Sequence, residues 1–396
     1  MASVDPTDIS AEIIIVGAGV AGAALAAVLG QQGRRVILVD PHAVCPPQFR
    51  AEKIEREQVA LLRKFGLLEH LLPNAGLVSQ VQGSFDGRIF KTGPIEQYGL
   101  HYEEIVNGLR EQIPAAVVFR AGRVESIANS DAVQRVKLVG GEELTSRLVV
   151  LASGGISGIE AQLGLRRRIL RKDQSLGLGF DFAPADSRPF PFDGLTYYSL
   201  SPSTCIDYLT LFKFRKAVRA NLFVFRAAGD PWVREFIQEP EAMLHRYLPK
   251  LTRITGEYRV TSKVESGRVD LYTVDHDPQP GVVLIGDAFQ SACPATGLGM
   301  DKVLTDVDAL SECLPGWLAT PGMSAAKMAE FYQHPRKLAV DSLALQRSQD
   351  HRRLAMDPSL RWRIHRVLLH LKWRMLGTSP RSRQARGVGD QVHGHA

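Results

Sequence analysis

The sequence predicts an α/β fold with an inserted sheet-based domain and a helical C-terminal region, on three observations. The apolar run Ile13-Ile14-Ile15-Val16 passes directly into Gly17-Ala18-Gly19-Val20-Ala21-Gly22 and a stretch of small residues. A second apolar run, Val282 to Ile285, passes into Gly286-Asp287, then Pro294 and the pair Gly297 and Gly299. Between them, residues 166 to 275 read as short strands, and beyond Leu314 the apolar spacing is helical.

β-branched residues in an unbroken run suit a strand buried on both faces. Gly17 permits the tight turn that follows, Gly19 (after Ala18) lets a pyrophosphate approach the backbone, and Gly22 lets the helix pack close to its strand. Val36 to Val39 supplies the next strand, and Asp40 ends it about twenty residues after the glycines, where a carboxylate accepts ribose hydroxyls. Strand, glycines, helix, strand and acid in that order make a Rossmann-like dinucleotide site.

Farther along, Arg50 follows a loop, where a cation serves equally as a phosphate partner or as a plain helix-start residue. Ile54 to Phe65 has helical spacing with Gly66 as its stop. Ser79 to Lys91 and Ala115 to Val149 alternate like hairpins, with Arg120 to Ile127, Val133 to Leu138 and Leu148 to Leu151 as strands, and Tyr102 to Ile113 is helical. The strand ending at Ala152 runs into Ser153-Gly154-Gly155. In the inserted region, Leu176 to Phe182, Leu195 to Leu200, Ile206 to Phe214 and Asn221 to Arg226 are expected strands and Pro231 to Lys250 a helix. After Asp287, a helix over Val303 to Leu314 presents its N-terminus, with exposed N–H groups, to a ligand. Helices over Ala325 to Tyr332 and Leu338 to Leu354 follow. Leu360, Ile364, Val367, Leu368, Leu371 and Met375 then recur on one helical face. That face is expected to cover the nucleotide-binding domain or a second copy, in preference to a peripheral membrane contact.

The chain has 396 residues, 45% hydrophobic and 23% charged, an ordinary soluble composition. Its start, MASVDPTDIS, has neither a basic nor an apolar leader region, so the expected location is cytoplasmic. Cys45, Cys205, Cys293 and Cys313 show no metal-ligand spacing and are expected as reduced thiols; no metal site is expected. From Arg336 onward 13 basic residues face 4 acidic ones, so the net charge of +6 belongs to the C-terminal end. No nucleic-acid motif accompanies it.

Together these segments resemble the FAD-dependent monooxygenases of the group A class, the aromatic-hydroxylase and ubiquinone-hydroxylase type, over roughly residues 10 to 320. GAGVAG with Asp40 is similar to that family's ADP-binding fingerprint, and GDAFQSACPATGLGMD to its GD motif. The resemblance implies that Asp287, after Gly286, meets the ribityl hydroxyls. Gly297, Leu298 and Gly299, opened by Pro294, would offer N–H groups to the flavin ring, and Arg50 would lie against FAD. It implies a Rossmann-like FAD-binding domain over 1–165 and 276–320 and a substrate domain over 166–275 joined by 79–100; the residue pattern beyond adds helices over 321–378 and a disordered basic tail over 379–396.

Four departures stand out. Gln290 replaces the usual His and Asp301 the usual Asn. Ser153 and Glu160 replace the acid and the arginine of the DGxxSxxR segment, which serves both FAD and NADPH. At the helix where the family places a cofactor-contacting arginine, this chain aligns Tyr102, Ile105 and Leu109, so that contact is expected to be absent.

The function implied is insertion of one oxygen atom from O2, through a flavin hydroperoxide, into an electron-rich aromatic or polyketide-like small molecule. NADPH or NADH is the implied donor, with the altered segment leaving room for a reductase partner. No catalytic residue is assigned: packing accounts for His101, Tyr197, Tyr198 and Tyr208 as they stand. A flavin-dependent reductase of a lipid-like or polyprenyl substrate and a non-catalytic FAD-binding protein remain alternatives. A halogenase is disfavoured because this chain has no WxWxIP, and an NAD-dependent dehydrogenase leaves the second glycine segment without a role. Oligomeric state is not legible.

Overall fold

The computed structural model describes residues 10–155, 158–186, 188–215, 217–275 and 277–378. Two sheets organise them. In the first, of seven strands, Ala11–Val16 lies between Val36–Asp40 and Glu143–Leu151, all parallel, with Val118–Ala121 beyond Val36–Asp40 and Val282–Leu284 along Glu143–Leu151. An antiparallel pair, Gln134–Leu138 and Val124–Ala128, extends the far edge. Ile13 and Ile15 face one core and Ile14 and Val16 another, so both sheet faces are covered, as the unbroken apolar run requires. The helix Val20–Gln31 is buried from Val20 to Gly30. Its alanines and glycines allow that close approach.

The second sheet has nine strands, with the 19-residue strand Arg166–Pro184 pairing with Ala217–Val224 on one edge and Glu265–Asp275 on the other. Gly76–Phe85 and Arg88–Gly99 belong to this sheet. Alternate residues Leu176, Leu178, Phe180 and Phe182 face a core shared with Trp232 and Phe236 of the helix Pro231–Gln238. On the other face, Gly177, Gly179 and Gly267 leave room for Phe49: a Cβ at Gly179 would lie 2.2 Å from its ring. There Arg219, 2% exposed, donates to both oxygens of Glu52 at 2.8 and 2.9 Å. A nucleotide-domain loop is thereby clamped to the second sheet.

Three expectations are corrected. Pro231 to Lys250 is two helices, Pro231–Gln238 and Pro240–Tyr247, because Pro240 has no N–H and its ring clashes with the preceding turn. Arg120 to Ile127 is split at Gly122 into Val118–Ala121 and Val124–Ala128, at opposite ends of the first sheet. Among the described residues, the apolar stripe of the helix Leu360–Thr378 does not cover the nucleotide-binding domain: the helix docks through Trp373 and His370 on the second sheet, and the stripe is exposed. The expected tail, 379–396, lies outside the described residues.

The helix Pro335–Met356 joins the two halves. Lys337, fully buried, lies 2.9 Å from Asp306 and 3.0 Å from Asp341; Lys302, also fully buried, lies 3.4 Å from Asp306 and 3.4 Å from Asp341. Removing one member strands a buried charge, so Lys337→Met should cost about 3–5 kcal/mol in denaturant unfolding. Lys337→Met with Asp341→Leu, which removes one charge of each sign, should cost less than the single substitution.

Candidate functional site

Strand register brings the two glycine motifs together. Leu151 pairs with Val16 on one side and Leu284 on the other, so Gly17, Ser153 and Gly286 follow the ends of three adjacent parallel strands. An open parallel sheet binds ligands at such an edge. At Gly17 the φ is +100° and a Cβ would lie 2.6 Å from the Ala152 carbonyl; at Gly22 it would lie 1.8 Å from the Gly17 carbonyl. The Ala18 N–H donates to Asp40 Oδ2 at 2.8 Å, so the acid ties its strand end to the glycine turn.

Arg110 closes this loop, donating to the Ala18 carbonyl at 2.8 Å and lying 3.7 Å from Asp40. An arginine was not expected from this helix. It comes from the last residue of Tyr102–Arg110, two turns past the aligned position. Tyr102 itself lies against the loop, its hydroxyl 3.1 Å from where a Gly19 Cβ would stand. The Arg50 guanidinium stacks over the Tyr102 ring at 5.6 Å and reaches toward Gly154, so Arg50 is at the site.

On the second loop, the Gly286 N–H donates to Asp306 at 2.7 Å and the Gly286 carbonyl accepts from Lys302 at 3.0 Å. Asp287 follows. Its backbone carbonyl accepts from the Tyr272 hydroxyl at 2.6 Å, and its carboxylate has no hydrogen-bond partner among the described residues. Burial pushes that carboxyl above the usual range, with Lys302 and Arg50 pulling it back. Pro294–Thr296 forms a turn, Gly297 takes φ +71°, and the 22-residue helix Leu298–Ala319 follows, its Leu298 N–H donating to Thr296 Oγ1 at 3.2 Å. A Cβ at Gly299 would meet nothing. Gln290, in the place of the family's His, donates to the Asp341 carbonyl at 2.9 Å and is part of the tie to Pro335–Met356.

The altered segment is rebuilt from elsewhere. Ser153 keeps a buried hydroxyl without a partner among the described residues. Arg167, from the next strand, donates to the Gly155 carbonyl, lies 3.7 Å from the buried Glu160 and stacks on Tyr272 at 4.4 Å. A guanidinium therefore stands beside the turn although Glu160 occupies the arginine's place in sequence. Ile156 and Ser157 lie outside the described residues.

A glycine cradle closed to any side chain, an unpartnered carboxylate and an orphaned serine hydroxyl fit a flavin dinucleotide. A sequence model described as FAD binding domain matches residues 10–344. The chain belongs to the FAD binding domain family. It is similar to a kynurenine 3-monooxygenase of Salinispora tropica, 28% identical over 368 residues, covering 84% of this chain and 78% of the relative. It is also similar to a 3-demethoxyubiquinol 3-hydroxylase of Escherichia coli, 25% identical over 327 residues, covering 76% and 79%. Among solved structures, a p-nitrophenol 4-monooxygenase from Pseudomonas putida DLL-E4 superposes with TM-score 0.73 at 17% identity, covering 93% of this chain and 96% of that one. The fold is shared with it. The class read from the two motifs, an FAD-dependent oxidoreductase of the monooxygenase type, holds for this flavoprotein.

A second group of side chains lies where the inserted sheet meets Pro294–Thr296. The Tyr208 hydroxyl donates to the Ala295 carbonyl at 2.6 Å, with Tyr198 and Phe223 rings at 5.7 and 5.0 Å. Burial pushes the Tyr208 hydroxyl well up. On the neighbouring residue, the Asp207 carboxylate meets His351 Nδ1 at 2.7 Å, both largely buried. Burial opposes a charged imidazole, but the carboxylate outweighs it and His351 titrates above the usual histidine range. Sequence reasoning missed this pair. One signal was available, an acid inside the apolar strand Ile206–Phe214; nothing local pointed to His351, which is 144 residues away. Of the residues weighed at the outset, His101 starts the helix Tyr102–Arg110 beside Glu52, and Tyr197 packs in the core of the second sheet.

Asp301 has a buried, unpartnered oxygen, and burial raises its carboxyl to about 7. Protonated, it presents a donor where an asparagine would. Because the folded pKa is raised, its favourable contribution is complete below the ordinary carboxylate pKa and is lost as pH rises through about 7. Relative to Asp301→Asn, the wild-type chain should lose about 2 kcal/mol of stability between about pH 5.5 and 8.5. Parallel unfolding curves across that range would contradict the assignment.

Proposed function

We propose that this flavoprotein adds one oxygen atom to a phenolic, electron-rich aromatic ring seated beside Pro294–Thr296, where that turn meets the sheet face bearing Tyr198, Tyr208 and Phe223. The observation behind it is the buried Asp207–His351 pair, 2.7 Å apart, beside a tyrosine that donates to the Ala295 carbonyl. The names of the relatives, which concern kynurenine, a demethoxyubiquinol and p-nitrophenol, support an aromatic substrate.

In this reading Gly17, Ala18, Gly19, Gly22 and Asp40 hold the ADP half of FAD and Arg50 flanks it. Gly286 and Asp287 take the ribityl chain, and Pro294, Gly297, Leu298 and Gly299 border the ring. Bound FAD supplies the activation of dioxygen, with NADPH or NADH as electron donor. The chain's own residues do the rest. Asp207, 2.7 Å from His351 Nδ1, makes the imidazole more basic, so the pair serves as acceptor of the phenol proton, which raises electron density on the ring. Tyr208 holds the Ala295 carbonyl, and the aromatic wall keeps water away.

Proton acceptance needs neutral His351, so kcat/KM should rise with pH through a pKa above the ordinary histidine value. His351→Gln should lower kcat by about 100-fold and abolish that limb, with FAD content unchanged. Asp207→Asn should move the limb to lower pH. Anaerobic mixing of the FAD-loaded protein with NADPH or NADH tests the wider reading: bleaching of the flavin band, accelerated by a phenol, is the expected result. A flavin reduced by neither nucleotide, with or without phenols, would point to a separate reductase partner or to a binding role.

A further inference from the structure

The helix Leu360–Thr378 has one docked face. Trp373 stacks on Phe90 at 4.6 Å, His370 meets Phe85 edge-on at 4.7 Å, and buried Arg366 donates to the Leu354 and Asp357 carbonyls. Leu360, Ile364, Val367, Leu368, Leu371 and Met375, by contrast, are each between 50% and 70% exposed. Exposed apolar side chains are ordinary when scattered, but a contiguous stripe marks an interaction surface.

At about 100° per residue, these six fall within an arc of roughly 100°, centred roughly 140° from the docked side chains. The same projection places Arg361 and Lys372 along one border of the stripe and Arg363 and Arg374 along the other, all four exposed. No acidic residue lies between Leu360 and Thr378. Two copies meeting stripe to stripe would oppose cationic borders with nothing on either helix to neutralise them. An anionic bilayer answers both features: acyl chains take the stripe, and headgroup phosphates take the bordering cations while their hydrocarbon stems stay apolar.

We propose that Leu360–Thr378 docks the enzyme onto an anionic lipid surface, lying in the plane of the headgroups with the apolar stripe inward. With four cations bordering it, the helix rests on the bilayer; no helix among the described residues is long and apolar enough to cross one. The docked face stays on the second sheet, so attachment needs no rearrangement of the flavin site. The inference stands independently of the substrate.

Flotation of the FAD-loaded full chain with vesicles of phosphatidylcholine alone, and of phosphatidylcholine mixed with phosphatidylglycerol, tests it. The expected result is roughly tenfold or greater enrichment on the anionic vesicles, reduced by salt. Ile364→Glu/Leu368→Glu/Leu371→Glu, all at exposed positions, should abolish flotation with FAD content and far-ultraviolet dichroism unchanged. Arg361→Gln/Arg363→Gln/Lys372→Gln/Arg374→Gln should remove the anionic preference. A chain ending at Thr378 should still float. The proposal is overturned if the wild-type protein floats with neither vesicle, if the glutamate variant floats as well as wild type, or if removing residues 379–396 abolishes binding. A vesicle-independent dimer that the glutamate substitutions dissociate would assign the stripe to a second copy instead.

Discussion

The mutual pairing of Lys302, Asp306, Lys337 and Asp341, nearly or wholly out of contact with water, is the constraint on which the site depends. Taking such charges out of water costs several kcal/mol each, and pairing with good geometry is what offsets it. Both backbone groups of Gly286 are drawn into the cluster, which fixes the turn that presents Asp287. Two of its members, Lys337 and Asp341, sit on Pro335–Met356, and fourteen residues past Lys337 on that helix, about 21 Å, is His351. One rigid helix thus ties the Gly286 turn to the Asp207–His351 pair. A Cys293 N–H donating to Ser348 at 3.0 Å fastens it again between the two.

The rest of the site follows from strand order. Placing Glu143–Leu151 between Ala11–Val16 and Val282–Leu284 brings motifs from residues 17, 153 and 286 to one edge. Where the sequence departs from the family's pattern, other side chains stand nearby in space. Arg167 restores a guanidinium beside Gly155, and Arg110 anchors the glycine loop from the far end of its helix. Asp301, with its carboxyl raised to about 7, stands in for an amide.

Legibility in the sequence tracked whether the signal was local. Strand runs, glycine turns and the acid Asp40 are encoded within a few residues of one another, so both strand-to-glycine turns are legible in the sequence. Ile206–Phe214 and Ala325–Tyr332 carry unambiguous spacing and form as expected. Proline and glycine punctuation decided the misreadings: Pro240 divides a continuous helical pattern, and Gly122 sends one apparent strand to two edges of a sheet. Asp207 with His351, and Lys302 with Asp341, are pairings across long separations that no window reveals. The outward stripe of Leu360–Thr378 was visible as a stripe, but periodicity says which residues share a face and not whether anything covers it.

The central claim is that this flavoprotein transfers oxygen to a phenolic ring beside Pro294–Thr296. Its most direct test is turnover under heavy-isotope dioxygen, with NADPH or NADH and a panel of phenols, and mass spectrometry of the products. The account predicts a product carrying one labelled oxygen atom per reduced nicotinamide consumed. Nicotinamide oxidation that yields only hydrogen peroxide, with no labelled product from any phenol, would contradict it.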